Sequence, residues 1–99
     1  QLMARYQRMT EKLAPLGLTV SELALDPRGE LEAVLGGGTR VLLGKEQIRE
    51  RMQRFIALHR AELGQRMDEV ERVDLRYASG AAVAFAETDE DATGQVAGL

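Results

Sequence analysis

Val73-Asp74-Leu75-Arg76-Tyr77-Ala78-Ser79-Gly80-Ala81-Ala82-Val83-Ala84-Phe85 is the stretch whose reading decides the fold. Val73, Leu75 and Tyr77 alternate with Asp74 and Arg76, the period-two pattern of a strand with one face on a core and one in water. Ala78-Ser79-Gly80 breaks the run, and Gly80 accepts the positive φ that a tight reversal demands. A second strand over residues 81–85 is therefore predicted, antiparallel to the first. It carries no Lys, no Pro and no inward charge, the devices by which proteins blunt an exposed sheet edge.

Two readings of that last strand stay open on pattern alone. In one it is interior, or covered by the tail that follows. In the other it is a bare edge that receives a strand from a partner, where main-chain bonds supply affinity and pockets for alternate side chains supply specificity.

The rest of the chain bounds the answer. Its 99 residues suffice for one modest core. Aromatic residues are only 4% of a chain that is 44% hydrophobic, so the core must be built from Leu, Val, Ala and Met. Net charge is −3, but Glu87, Asp89, Glu90 and Asp91 fall in the tail, and 13 bases face 12 acids before it. That balance provides no global field for nucleic acid or an anionic membrane. Cysteine is absent, which removes disulfides and thiolate chemistry. The opening residues already read as helix, and the chain is read as a fragment.

Leu2, Tyr6, Met9, Leu13 and Leu16 form the stripe of an amphipathic helix that Pro15 and Gly17 should end. Leu18-Thr19-Val20 alternates, but the phase slips before Leu23 and Leu25, which predicts a bulge near Ser21-Glu22. Asp26-Pro27-Arg28-Gly29 has the residue order of a type I turn. Leu31, Ala33 and Leu35 make the next strand, Gly36-Gly37-Gly38 reverses it, and residues 39–43 return antiparallel. Gly44 is read as opening a long helix whose apolar face is Ile48, Met52, Phe55, Ile56, His59 and Leu63, with Gly64 as its cap. A polar linker, residues 65–69, then leads to the C-terminal hairpin. The expected fold is α+β: a mainly antiparallel sheet, a three-stranded meander plus the C-terminal hairpin, with two helices packed on one face. Residues 87–99 read as an acidic disordered tail.

No cofactor or catalytic chemistry is expected. The glycines before Gly44-Lys45 fail a phosphate-loop pattern, because Thr39 stands where glycine is required and Glu46 where Ser or Thr must hold magnesium. His59 is the only histidine, with neither a second imidazole nor cysteine to complete a metal site or a triad. Arg49, Arg51, Arg54 and Arg60 raise a nucleic-acid alternative, but interspersed acids make a mixed, solvated face the default. A self-pairing module in which two bare edges meet is a further alternative.

The sequence Val73-Asp74-Leu75-Arg76-Tyr77-Ala78-Ser79-Gly80-Ala81-Ala82-Val83 closely resembles the end of the periplasmic β-domain of the bacterial FtsQ/DivIB cell-division family. Arg40-Val41-Leu42-Leu43-Gly44-Lys45-Glu46 and Arg51-Met52-Gln53-Arg54-Phe55 are similar to that family's strand, corner and helix. The resemblance spans residues 2–85 and implies a partial β-domain over residues 1–86. It also implies a non-enzymatic divisome scaffold at the periplasmic face of the inner membrane. The anchor and the preceding POTRA domain of the family lie outside what this chain resembles. The implied partners are FtsB and, with it, FtsL, received along the last strand. The implied binding residues are Leu58, Tyr77, Ser79, Gly80, Val83 and Phe85, with Arg28 and Arg76 meeting an acidic residue of the partner. Phe85 stands where the family commonly has tryptophan, which keeps an apolar wall and loses an indole donor.

Overall fold

The computed structural model of the chain describes residues 2–86; the expected acidic tail, residues 87–99, lies outside them. Helix α1, Leu2–Leu13, continues into a single tighter turn, Ala14–Leu16, and stops at Gly17, whose φ of 76° places it in the left-handed region. Five strands follow: β1, Val20–Leu25; β2, Leu31–Leu35; β3, Arg40–Gly44; β4, Val70–Asp74; and β5, Ala82–Phe85. Helix α2, Ile48–Leu58, stands between β3 and β4. The strands form one sheet in chain order, β1-β2-β3-β4-β5. All neighbours are antiparallel except β3 and β4, which are parallel and joined by the crossover through α2.

Turn chemistry sets the meander as the sequence predicts. The Gly29 N–H closes the Asp26 turn at 2.9 Å, and the Asp26 carboxylate accepts the N–H groups of Arg28 and Glu30, each at 2.9 Å. The bulge expected near Ser21-Glu22 is present between Val20 and Glu22. It corrects the phase, so that Leu23 joins an inner row with Ala33, Val41, Val73 and Val83 across all five strands. Both helices cover that face. Met9 and Leu13 of α1 and Met52 and Phe55 of α2 are buried against Leu31, Ala33, Leu35, Val41, Leu43, Val70, Val73 and Leu75. Phe55 is fully buried, and truncating its ring to Ala would cost about 3–5 kcal/mol. The opposite face carries the rows Ala24–Glu32–Leu42–Asp74–Ala82 and Glu22–Val34–Arg40–Arg72–Ala84.

Four local expectations are corrected. Gly44 ends β3 rather than opening a helix; its φ is 73°, and α2 begins only at Ile48, after Gln47 in a left-handed conformation. Gly64 is not a left-handed cap, because its φ is −51° and the chain continues as helix. α2 widens into a π-type turn over His59–Leu63, then tightens into Gly64–Glu69, which occupies the stretch read as a linker. An added Cβ at position 64 would lie 3.3 Å from the His59 carbonyl oxygen, a contact tighter than side chains ordinarily make. Finally, β4 starts at Val70 rather than Val73. A bulge between Val70 and Arg72 puts both Val70 and Val73 on the core, so strict alternation holds only beyond it.

His59 is a core residue. It is buried, its ring centroid lies 6.3 Å from that of Phe55, and burial, followed by the charge of Arg60, pushes its pKa down. Among the described residues, no three carboxylate, imidazole or thiol side chains come close enough together to hold a metal ion.

Candidate functional site

The candidate site is the outer edge of β5 together with the segment that leads into it. Among the described residues β5 has one neighbour, β4, with Val73 opposite Val83 and Asp74 opposite Ala82. The Ala86 N–H donates to the Glu69 carbonyl at 2.6 Å, so Ala86 faces β4. The irregularity in this ladder lies on β4, and β5 itself alternates regularly. Ala84 and Ala82 therefore also turn their main-chain groups inward, while Val83 and Phe85 turn theirs outward.

Side chains furnish this edge unevenly. Val83 is half-buried against the core, and Leu58 of α2 is packed against the same core. Phe85 is 38% exposed and lies under the Arg66 guanidinium, whose carbon is 4.2 Å from the ring centroid. Arg66 is itself tied to Glu69 at 3.4 Å. A cation thus caps the ring that stands where the family's tryptophan was expected.

Residues 75–81 connect β4 to β5 as a longer loop than the tight reversal predicted around Gly80. Leu75 stays buried and its N–H donates to the Leu42 carbonyl, so the chain remains on β3 after it has left β5. Tyr77 is 52% exposed, Ser79 is exposed, and Gly80 has the expected positive φ, 74°. The loop is held from α2. Arg54 donates to three of its carbonyls, those of Tyr77 (3.2 Å), Ala78 (3.2 Å) and Gly80 (2.9 Å). Arg51 donates to the Leu43 carbonyl at 2.7 Å and reaches the Arg76 carbonyl at 3.5 Å. Neither arginine belongs to the mixed, solvated face expected of it. Their spacing of three on a helix does put them on one side, but nothing in the sequence says that this side meets carbonyls. Gly44 fits the same contact, since a Cβ there would stand 2.5 Å from Arg51 Nη1.

Arg76 is exposed, on the wet side of the sheet. It follows the end of β4, and its head reaches back to Asp74 and across to Glu30. Its Nε and Nη2 donate to the two carboxylate oxygens of Asp74 at 2.9 and 2.8 Å, and Nη1 lies 3.5 Å from Glu30 Oε1. Arg28 approaches the same Glu30 oxygen at 3.4 Å and Asp26 at 3.5 Å. The structure therefore brings Arg28 and Arg76 together around a carboxylate of the chain itself. The hydrogen bonds that Arg76 donates hold the Asp74 carboxyl below its ordinary range, and the same bonds raise Arg76. This cluster borders a hollow of about 290 Å³ at the end of the sheet where β5 begins.

Residues 1–76 match the family model described as cell division protein FtsQ/DivIB, C-terminal. The chain belongs to the FtsQ/DivIB family. It is 39% identical over 85 residues to the cell division protein FtsQ of Vibrio cholerae, covering 86% of this chain and 32% of that protein. The FtsQ of Coxiella burnetii is 37% identical over 79 residues, 80% of this chain and 32% of the relative. That of Aliivibrio fischeri is 36% identical over 84 residues, 85% and 32%. The chain thus spans about a third of the length of these family members. No helix among the described residues is long and apolar enough to cross a membrane.

Proposed function

We propose that the chain is an interaction module of the bacterial division machinery. It receives a strand of FtsB, with FtsL in the same complex, along the outer edge of β5. The observation that carries this reading is the position of β5, which has β4 on one side and presents the main-chain groups of Val83 and Phe85 on the other. A partner strand docked there gains ladder hydrogen bonds, and the half-buried Val83 and the Arg66-capped Phe85 offer apolar contacts for its alternate side chains. Tyr77, Ser79 and Gly80 lie at the entry to the strand, where Arg54 holds the backbone in one shape before binding. Preorganisation of that kind lowers the ordering cost of association. Arg28 and Arg76 stand at the same end of the sheet. A partner carboxylate would exchange with Glu30 for their free donors, and Leu58 supports the strand from the helix side. The module is non-enzymatic and acts at the periplasmic face of the inner membrane.

Titration of the chain with a soluble periplasmic FtsB fragment tests the reading. Val83→Pro removes an outward N–H and leaves the β4 ladder intact, so it should abolish binding with the circular dichroism unchanged. Ala84→Pro removes an inward N–H and should destabilise the fold by about 1–3 kcal/mol. If Val83→Pro binds as the parent chain does, strand addition at this edge is wrong.

A further inference from the structure

The arginines and two lysines of the chain have different surroundings. Arg28, Arg40, Arg66 and Arg76 are each within ion-pair distance of a carboxylate, and Arg51 and Arg54 donate to backbone carbonyls. Arg5, Arg8 and Lys12 of α1 and Arg49 of α2, like Lys45, Arg60 and Arg72, make no ion pair among the described residues. Arg5, Arg8, Lys12 and Arg49 border one hollow of about 540 Å³ between the two helices, and no carboxylate lines it. Its floor is apolar and includes the core residues Met9 and Met52.

We propose that this hollow is a docking groove for an acidic amphipathic helix of a partner protein, with Arg5, Arg8, Lys12 and Arg49 receiving its carboxylates and Met9 and Met52 its apolar face. The spacing fits that occupant. Arg5, Arg8 and Lys12 recur at the i, i+3, i+7 positions of α1, a row roughly 10 Å long, which acids at the same spacing on a facing helix would match. Methionine suits the floor because its unbranched thioether adapts to a helix face. The groove is concave, which favours an inserted ridge over a flat anionic bilayer. The chain's own acids at positions 87–91 follow Ala86, which is bonded to Glu69 at the far end of the sheet from Leu31 and Ile48 on the groove wall. Short reach therefore disfavours them as occupants. The groove lies on α1 and α2 rather than on β5, and it stands or falls separately from strand addition.

The test uses the whole chain with methyl-labelled methionine and a fluorescent alanine-rich peptide of about 18 residues, long enough to be helical. The peptide carries Glu at i, i+3 and i+7 and Leu on the adjoining face; an isomer of the same composition scatters the Glu around the helix. The matched peptide should bind saturably at low salt and shift the Met9 and Met52 methyl resonances. The isomer, or the Arg8→Glu/Arg49→Glu double variant, should weaken binding about tenfold or more. Arg60→Glu should change it by less than about twofold. The proposal is overturned if the matched peptide does not bind, or if it binds the double variant equally. It is also overturned if phosphatidylglycerol vesicles or a free 87–99 peptide occupy the groove in preference to the matched helix.

Discussion

Arg76 grips Asp74 through two parallel hydrogen bonds, Nε to Oδ1 at 2.9 Å and Nη2 to Oδ2 at 2.8 Å, and the Arg76 backbone N–H adds a third to Oδ1 at 3.0 Å. The pair locks the chain at the point where it leaves β4. It also makes that corner sensitive to acid, because the Asp74 carboxyl is lowered from its ordinary 3.8 by the Arg76 hydrogen bond. A depressed carboxylate contributes stability above its unfolded pKa, and the contribution is lost as pH falls through the lower folded value. Asp74→Asn should therefore cost about 1–2 kcal/mol at neutral pH, discounted for the exposure of the arginine. Urea denaturation of parent and variant checks this; the gap should narrow progressively as pH falls below 3.8, and a gap that stays constant would remove the pair from the stability of the domain.

Arg28 and Arg76 face the same Glu30 oxygen. If a partner carboxylate takes over these donors, reversing either charge should weaken binding of a soluble FtsB fragment by about 2–5 kcal/mol. Arg60→Glu, on an exposed stretch after α2, should cost about 0–1 kcal/mol. Titration calorimetry of the three variants decides it, and equal losses for Arg76→Glu and Arg60→Glu would exclude the clamp.

Arg54 holds three carbonyls of the loop before β5. Arg54→Ala should leave global stability within about 1–2 kcal/mol, since these bonds are exposed, while releasing the loop. Amide exchange at residues 76–81 should quicken and partner affinity should fall together. Faster exchange with unchanged affinity would show that the loop need not be ordered before binding.

The acidic segment 87–99 follows directly on the open strand. The charges of Glu87, Asp89, Glu90 and Asp91, close after β5 in the sequence, should discourage two β5 edges from pairing, by like-charge repulsion. Sedimentation of a chain ending at Ala86 should show self-association at concentrations where the whole chain is monomeric, with FtsB binding retained. Identical sedimentation, or lost binding, would deny the tail this role.

Much of the fold was legible because local chemistry decided it. Alternation marked the strands, Asp26-Pro27-Arg28-Gly29 and the Gly36–Gly38 run set the two hairpins of the meander, and the stripes of α1 and α2 showed which sides would be buried. The phase slip before Leu23 announced a bulge that is there, since a strand on a one-sided core cannot change face without one. The bulge between Val70 and Arg72 left no such mark because Val70 lies outside the run that alternates.

By itself, then, the sequence determined the α+β class, the meander, the C-terminal hairpin and the family, all of which rest on residues close together in the chain or on a contiguous motif. Only the tertiary structure decided that β4 lies parallel to β3, which leaves β5 as the outer strand among the described residues. It alone showed Arg51 and Arg54 bound to carbonyls of the β3 corner and the β5 loop, and it alone turned Arg76 onto Asp74 and Glu30. For Arg51, Arg54 and the reach of Arg76 to Glu30 the physical reason is shared. A guanidinium has no preferred local partner, and an acceptor on another element comes within reach only after the sheet has closed and the helices have packed against it.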